Sequence, residues 1–130
     1  MINIDKLNTN LIKVEEKDGI TLLITQFYYL ETTRNIVLFM DEYDNITDGG
    51  DCIDILLNMA YDKSDMYDYI RHLAKQFNVE ISNDAIGIKK VKDVNDALPH
   101  LLSAIIVIYN KTFMYLRDKA EEYAIEDIEG

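Results

Sequence analysis

The apolar residues of this chain first change their period at Asp48-Gly49-Gly50-Asp51, and that change limits the folds open to it. Before this turn, β-branched and aromatic residues run in strand-length blocks. After it, apolar residues recur mostly every three or four positions, the spacing of helices packed on one side. Strands followed by helices predict an α+β fold. The two glycines permit a sharp reversal, and either aspartate can cap the free N–H groups of the helix that follows.

Within the first block, Ile12 and Val14 alternate with Lys13 and Glu15, and Asp18-Gly19 supplies a two-residue hairpin turn. Residues 20–30 read as a long strand, Thr32-Thr33-Arg34-Asn35 breaks it, and residues 36–41 form the next. A short strand at 45–47 follows, so the block predicts an antiparallel meander of three or four strands. Upstream, Ile4, Leu7 and Leu11 fall at helical spacing and predict a short N-terminal helix.

In the second block, Ile53, Leu56, Leu57 and Ala60 make the inner face of a short helix. Ser64 is the expected N-cap of the next, with Asp65 in its first turn. Met66, Tyr69, Ile70, Leu73 and Phe77 line its inner stripe, while Asp65, Asp68, Arg71, Lys75 and Gln76 face outward. Residues 79–82 and 85–91 predict a second, smaller hairpin around Asn83-Asp84. A long helix over about 96–123 closes the pattern, with Pro99 expected in its first turn. That helix is apolar on most sides, since Ile106, Val107, Phe113 and Met114 widen the face formed by Leu101, Leu102, Ile105, Ile108, Tyr109, Thr112 and Leu116. It is either surrounded by its own domain, the favoured reading, or shared with a second copy in a homodimer.

With 130 residues, of which 48% are hydrophobic, residues 1–130 are expected to form a single domain with a genuine core. The lone Cys52 cannot form an internal disulfide. The first residues lack a basic region followed by an apolar run, and the longest apolar stretch, 104–109, is too short to span a bilayer. These features predict a cytoplasmic protein. Thirteen basic against 24 acidic residues give a net charge of −11. Direct binding to nucleic acid or an anionic membrane is therefore disfavoured, and such a surface suits a basic protein partner, a cation, or solubility alone.

Templates for catalysis fail on residue supply or spacing. His72 and His100 lie on different predicted helices, and no Cys/His pair has zinc-site spacing. His72, one turn after Asp68, is expected to pair with it. Cys52 beside Asp51 reads as a passive thiol. Gly49-Gly50 belongs to no phosphate-binding run, and its flanking aspartates would repel phosphate. An EF-hand beginning at Asp44 would place Ile46 at the third position, Asp48 at the fifth, Gly49 at the sixth and Ile55 where a bidentate glutamate is required. Glu15-Glu16-Lys17 has the Glu-x-Lys spacing of some nucleases, but no aspartate precedes it on a neighbouring predicted strand. No cofactor is expected.

What remains is the distribution of acids. From 41 to 68 lie Asp41, Glu42, Asp44, Asp48, Asp51, Asp54, Asp62, Asp65 and Asp68 against one base, Lys63. Tyr43, Tyr61 and Tyr67 interleave with them, and tyrosine is enriched at binding hot spots. If these residues share a face, that face attracts a basic groove. If they do not, the acids cap helices and solvate the surface while the tyrosines pack.

The run Asp44-Asn45-Ile46-Thr47-Asp48-Gly49-Gly50, leading into Ile53-Asp54-Ile55-Leu56-Leu57, resembles an uncharacterised bacterial and phage family catalogued as domain of unknown function 1828. Its members are similar in having an Ile-Thr-Asp-x-Gly turn after two long strands, then a short helix, a second helix and a final helix opened by proline. The likeness covers about residues 11–116. It implies no activity, but it does imply a bacterial or mobile-element origin.

The expectation is thus a non-enzymatic acidic protein-binding module, in its sharpest form a phage or mobile-element inhibitor filling the basic, nucleic-acid-binding groove of a host defence protein. Its expected contact residues are Asp41, Asp44, Asp48, Asp51, Tyr61, Asp62, Asp65 and Asp68. One alternative is a metal-dependent enzyme or nuclease-like domain using Asp48, Asp51 or Glu15. The other is a regulatory domain dimerised through its last helix.

Overall fold

A computed structural model of the chain describes residues 11–129, with side-chain surroundings for 13–124. The expected N-terminal helix falls outside these residues except for Leu11, which opens the first strand. Along the chain run β1 (Leu11–Lys17), β2 (Ile20–Tyr28), β3 (Asn35–Met40), β4 (Ile46–Thr47), α1 (Asp51–Leu57), α2 (Lys63–Gln76), β5 (Glu80–Ser82), β6 (Ala85–Ile88) and α3 (Val94–Glu129). The fold is α+β, as the change of period predicts.

Both hairpin turns follow from backbone sterics. Asp18 and Gly19 take φ of 53° and 78°, and Asn83 and Asp84 take 53° and 62°. Two successive left-handed residues give the turn whose twist matches the strands it joins, and Asp, Asn and Gly tolerate that conformation best.

The meander and the second hairpin do not form separate sheets. Ile46 pairs with Ile88 and Thr47 with Gly87, making one antiparallel sheet in the order β1-β2-β3-β4-β6-β5. A Cβ on Gly87 would lie 2.4 Å from the Ile46 carbonyl oxygen, so this junction requires glycine.

One face of the sheet carries the core. Leu23, Ile36, Leu38, Met40, Ile46 and Ile86 pack there with Ile53 and Leu56 of α1, Met66, Ile70 and Leu73 of α2, and Leu101, Ile105, Ile108 and Tyr109 of α3. Most of the apolar circumference of α3 is consumed inside its own domain, although Met114 stays 42% exposed. By length and composition a window of α3 could cross a membrane, and half of that window is buried in the domain.

Two helix starts differ from expectation, each by the choice of cap. Asp62 rather than Ser64 caps α2, its carboxylate accepting from the Asp65 N–H at 3.1 Å. Asp93 caps α3 through the Asn95 N–H at 2.9 Å. Starting α3 at Val94 makes Pro99 its sixth residue, beyond the first turn, where the proline leaves the Asn95 carbonyl without its helical donor. Asn95 is exposed, so water can take that place.

Candidate partner-binding surface

Asp48 is fully buried and does not belong to any outer acidic face. It follows β4 and continues its pairing, with its backbone N–H donating to the Ile86 carbonyl at 2.9 Å. The side chain therefore points into the domain, on the same side as Ile46. One carboxylate oxygen accepts from the Gly50 and Ile86 N–H groups, both at 2.9 Å, and the other from the Cys52 N–H at 3.3 Å. Burial raises its pKa above the ordinary carboxylate value, and the three N–H donors only partly oppose that rise. The Ile-Thr-Asp-x-Gly turn is thus a structural lock: one aspartate ties the end of β4 to the start of α1 and to β6. Its glycines are equally constrained. Gly49 has φ +69°, and a Cβ there would lie 2.6 Å from the Phe39 ring.

Asp41, Asp44 and Asp51, the other predicted contact residues of this stretch, divide between the two ends of β3. At one end, Asp41 folds back on its own turn and accepts from the Tyr43 N–H, the Asn45 N–H and the Asn45 side-chain amide at 2.9–3.0 Å. Desolvation pushes its carboxyl up, but these three donors together outweigh it and hold the group below its ordinary value. Asp44 is exposed in the same turn with φ 63°. At the other end, Arg34 lies 3.6 Å from Asp51 and 3.7 Å from Asp54, partly neutralising both. The acids of 41–54 accordingly share no single face.

A more coherent arrangement lies where the start of α2 meets α3. Tyr61 is 67% exposed, and its ring faces that of Tyr123 at 4.9 Å between centroids. Asp62 follows it, exposed, as the cap of α2. Asp65, one turn on, accepts the Tyr115 hydroxyl at 2.6 Å, and the Tyr115 ring stacks on Tyr69 at 4.2 Å. The Asp65 hydrogen bond, aided by desolvation, pushes the Tyr115 pKa up to about 12, so this hydroxyl keeps its proton. Lys119 sits over the Tyr115 ring and pairs with Glu122 at 3.6 Å. Beside Tyr61 runs an open groove lined by Met59, Ala60, Leu116 and Ala120, with Arg117 on its wall. Sequence patterning brings Tyr61, Asp62 and Asp65 forward but misses Tyr115 and Tyr123, because nothing in a single sequence pairs α2 with α3. Their signal was available only as tyrosines eight residues apart on one long helix.

Asp68 pairs with Arg71 at 3.2 Å, and His72 contacts Gln76 at 3.3 Å instead of Asp68. His100 does have a role that spacing did not show: its Nε2 lies 2.7 Å from the Phe77 carbonyl, joining α3 to the end of α2. Cys52 is fully buried, and burial followed by the Asp48 and Asp51 charges raises its thiol pKa well above the ordinary value. Among the described residues, no group of three or more His, Cys, Asp or Glu side chains converges as metal ligands. Glu15 pairs with Lys13 on β1, away from Asp48 and Asp51.

No protein-family model, curated protein or solved structure matches the chain.

Proposed function

We propose that this chain is a non-enzymatic protein-binding module that takes a basic segment of a partner on the surface formed by Tyr61, Asp62 and Tyr123. The observation that carries this reading is the exposure of a paired tyrosine surface beside acids. Tyr61 and Tyr123 remain 67% and 37% exposed although they face each other. Aromatic faces attract lysine and arginine, and exposed tyrosines bind with little loss of side-chain freedom. The net charge of −11 draws a basic partner from a distance, while the tyrosines and Asp62 give it a place to dock. A nucleic-acid-binding groove has the complementary charge, so an inhibitor of such a protein, encoded by a phage or mobile element, is the sharpest form of this reading.

The test is calorimetric titration with an arginine-rich peptide at low and high salt. Binding at low salt that weakens with added salt supports the reading. Tyr61→Ala combined with Asp62→Asn, which retains a capping oxygen, should weaken it by at least about tenfold. Equal affinity in wild type and double variant would remove this surface from consideration.

A further inference from the structure

Strand β5 ends the sheet, and among the described residues no strand pairs with its outer edge. The two-residue turn at Asn83-Asp84 makes Ser82 and Ala85 a hydrogen-bonded pair. Ile81 and Ile86 are therefore the next, wide pair, whose N–H and C=O groups point outward from the hairpin. On the Ile86 side those groups meet Asp48. The Ile86 N–H donates to its carboxylate and the Ile86 carbonyl accepts from its N–H, both at 2.9 Å. On the Ile81 side they face the open edge.

Helix α2 runs alongside this edge. At one end the Val79 N–H donates to the Ala74 carbonyl at 3.0 Å, and at the other the Tyr67 hydroxyl donates to Asp84 at 3.0 Å. The strand thus lies antiparallel to the helix, and between them is a groove of about 410 Å³. Ala74, Val79 and Ile81 supply its apolar surface, while Tyr67, Arg71 and Lys75 line it from successive turns of α2. From Tyr67 to Lys75 a helix rises about 12 Å, the reach of about four residues of extended chain.

The two ends of the groove carry opposite charge. Lys75 stands at the Val79 end, exposed and in no ion pair among the described residues. Asp84 stands at the Tyr67 end, with one oxygen taken by the tyrosine hydroxyl and the other left over. Arg71, between them, is already shared with Asp68 at 3.2 Å. Glu80 points to the opposite face of the sheet from Ile81, so it does not enter this balance.

We propose that this groove takes an extended segment of a protein partner as a further strand antiparallel to β5, with the residue pattern basic-x-apolar-x-acidic. The apolar residue exchanges both backbone hydrogen bonds with Ile81 and rests its side chain against Ala74, Val79 and Ile81. Residues two before and two after it share its face, which is the groove side. Antiparallel direction brings the earlier of these to Asp84 and the later to Lys75, so the base precedes the acid. Main-chain bonds supply the attachment, and the two charges set direction and choice of sequence. The inference is independent of the Tyr61 surface, where the start of α2 meets α3.

Amide chemical-shift titration with the capped peptide Thr-Lys-Thr-Val-Thr-Glu-Thr tests it. The expected result is saturable binding with the largest shifts at residues 79–84. Methylating the peptide's valine nitrogen removes the donor that the Ile81 carbonyl accepts, and should weaken binding by at least about tenfold. Exchanging lysine and glutamate within the peptide should weaken it by about three- to tenfold. Lys75→Glu, an exposed change that leaves the rest of the amide spectrum native, should do the same. No binding at millimolar peptide overturns the inference. So do shifts centred elsewhere, undiminished binding of the methylated peptide, or equal affinity for the two charge orders.

Discussion

The turn spanning Asp41 to Asp51 and the start of α2 from Tyr61 to Asp68 have similar compositions, rich in aspartate and punctuated by tyrosine, yet they do different work. In the first, carboxylates are consumed by the backbone: Asp48 holds three N–H groups inside the domain, and Asp41 accepts two N–H groups and a side-chain amide within its own turn. In the second, Asp62 spends one oxygen on a helix cap and stays exposed beside a tyrosine pair. A count of acids along the chain therefore does not measure a binding surface. What matters is how many oxygens the backbone has already claimed.

The contrast predicts unequal costs of substitution. Asp48→Ala should be the most damaging, because it strands three buried or half-buried N–H donors, and a loss of about 3–5 kcal/mol is expected in denaturant unfolding. Gly49→Ala comes next at about 1–2 kcal/mol, from its left-handed backbone and the overlap with Phe39. Asp62→Ala should cost about 1 kcal/mol, the ordinary value of an N-cap. If Asp62→Ala proved as costly as Asp48→Ala, the distinction between the two regions would fail.

Proton linkage sharpens the same contrast. Folding raises the Asp48 pKa above 3.8, so the stability linked to its protonation is present below that value and lost as pH climbs through the folded pKa. Folding lowers the Asp41 pKa, so its contribution is present above 3.8 and lost as pH falls through the folded pKa. Relative to wild type, Asp48→Asn should flatten the decline of stability on the higher-pH side, and Asp41→Asn the decline on the acid side. Denaturant midpoints measured across the carboxylate range read both slopes. The smallest effect on folding is expected for Tyr61→Ala, within about 0.5 kcal/mol, although the same change should weaken capture of a basic peptide.

Most elements were readable because local chemistry decides them. Asp18-Gly19 and Asn83-Asp84 are turns in any context that permits a hairpin, and the spacing from Met66 to Phe77 admits little besides a helix. What escaped depends on residues far apart in sequence. The pairing of Ile46 with Ile88 joins two hairpins into one sheet, and no local pattern announces it. The burial of Asp48 follows from that pairing, since Ile86 supplies one of its donors. A hint was present all the same: Asp48 stands two residues after Ile46 and so faces the same side of an extending strand. Charge overrode periodicity in that expectation. The tyrosine surface was half readable, with Tyr61 and Asp62 marked by exposure-prone chemistry and Tyr123 hidden by its distance along the chain.

The position of α3 has a consequence for how the domain is made. Its side chains complete the core against α1, α2 and β6, yet of the described elements it is made after all the others. Until it arrives, the nascent sheet displays greasy side chains on both surfaces, and β2 and β3 are the very segments most prone to stick to neighbours. A stop codon early in α3 should therefore produce aggregated material, not a smaller soluble domain.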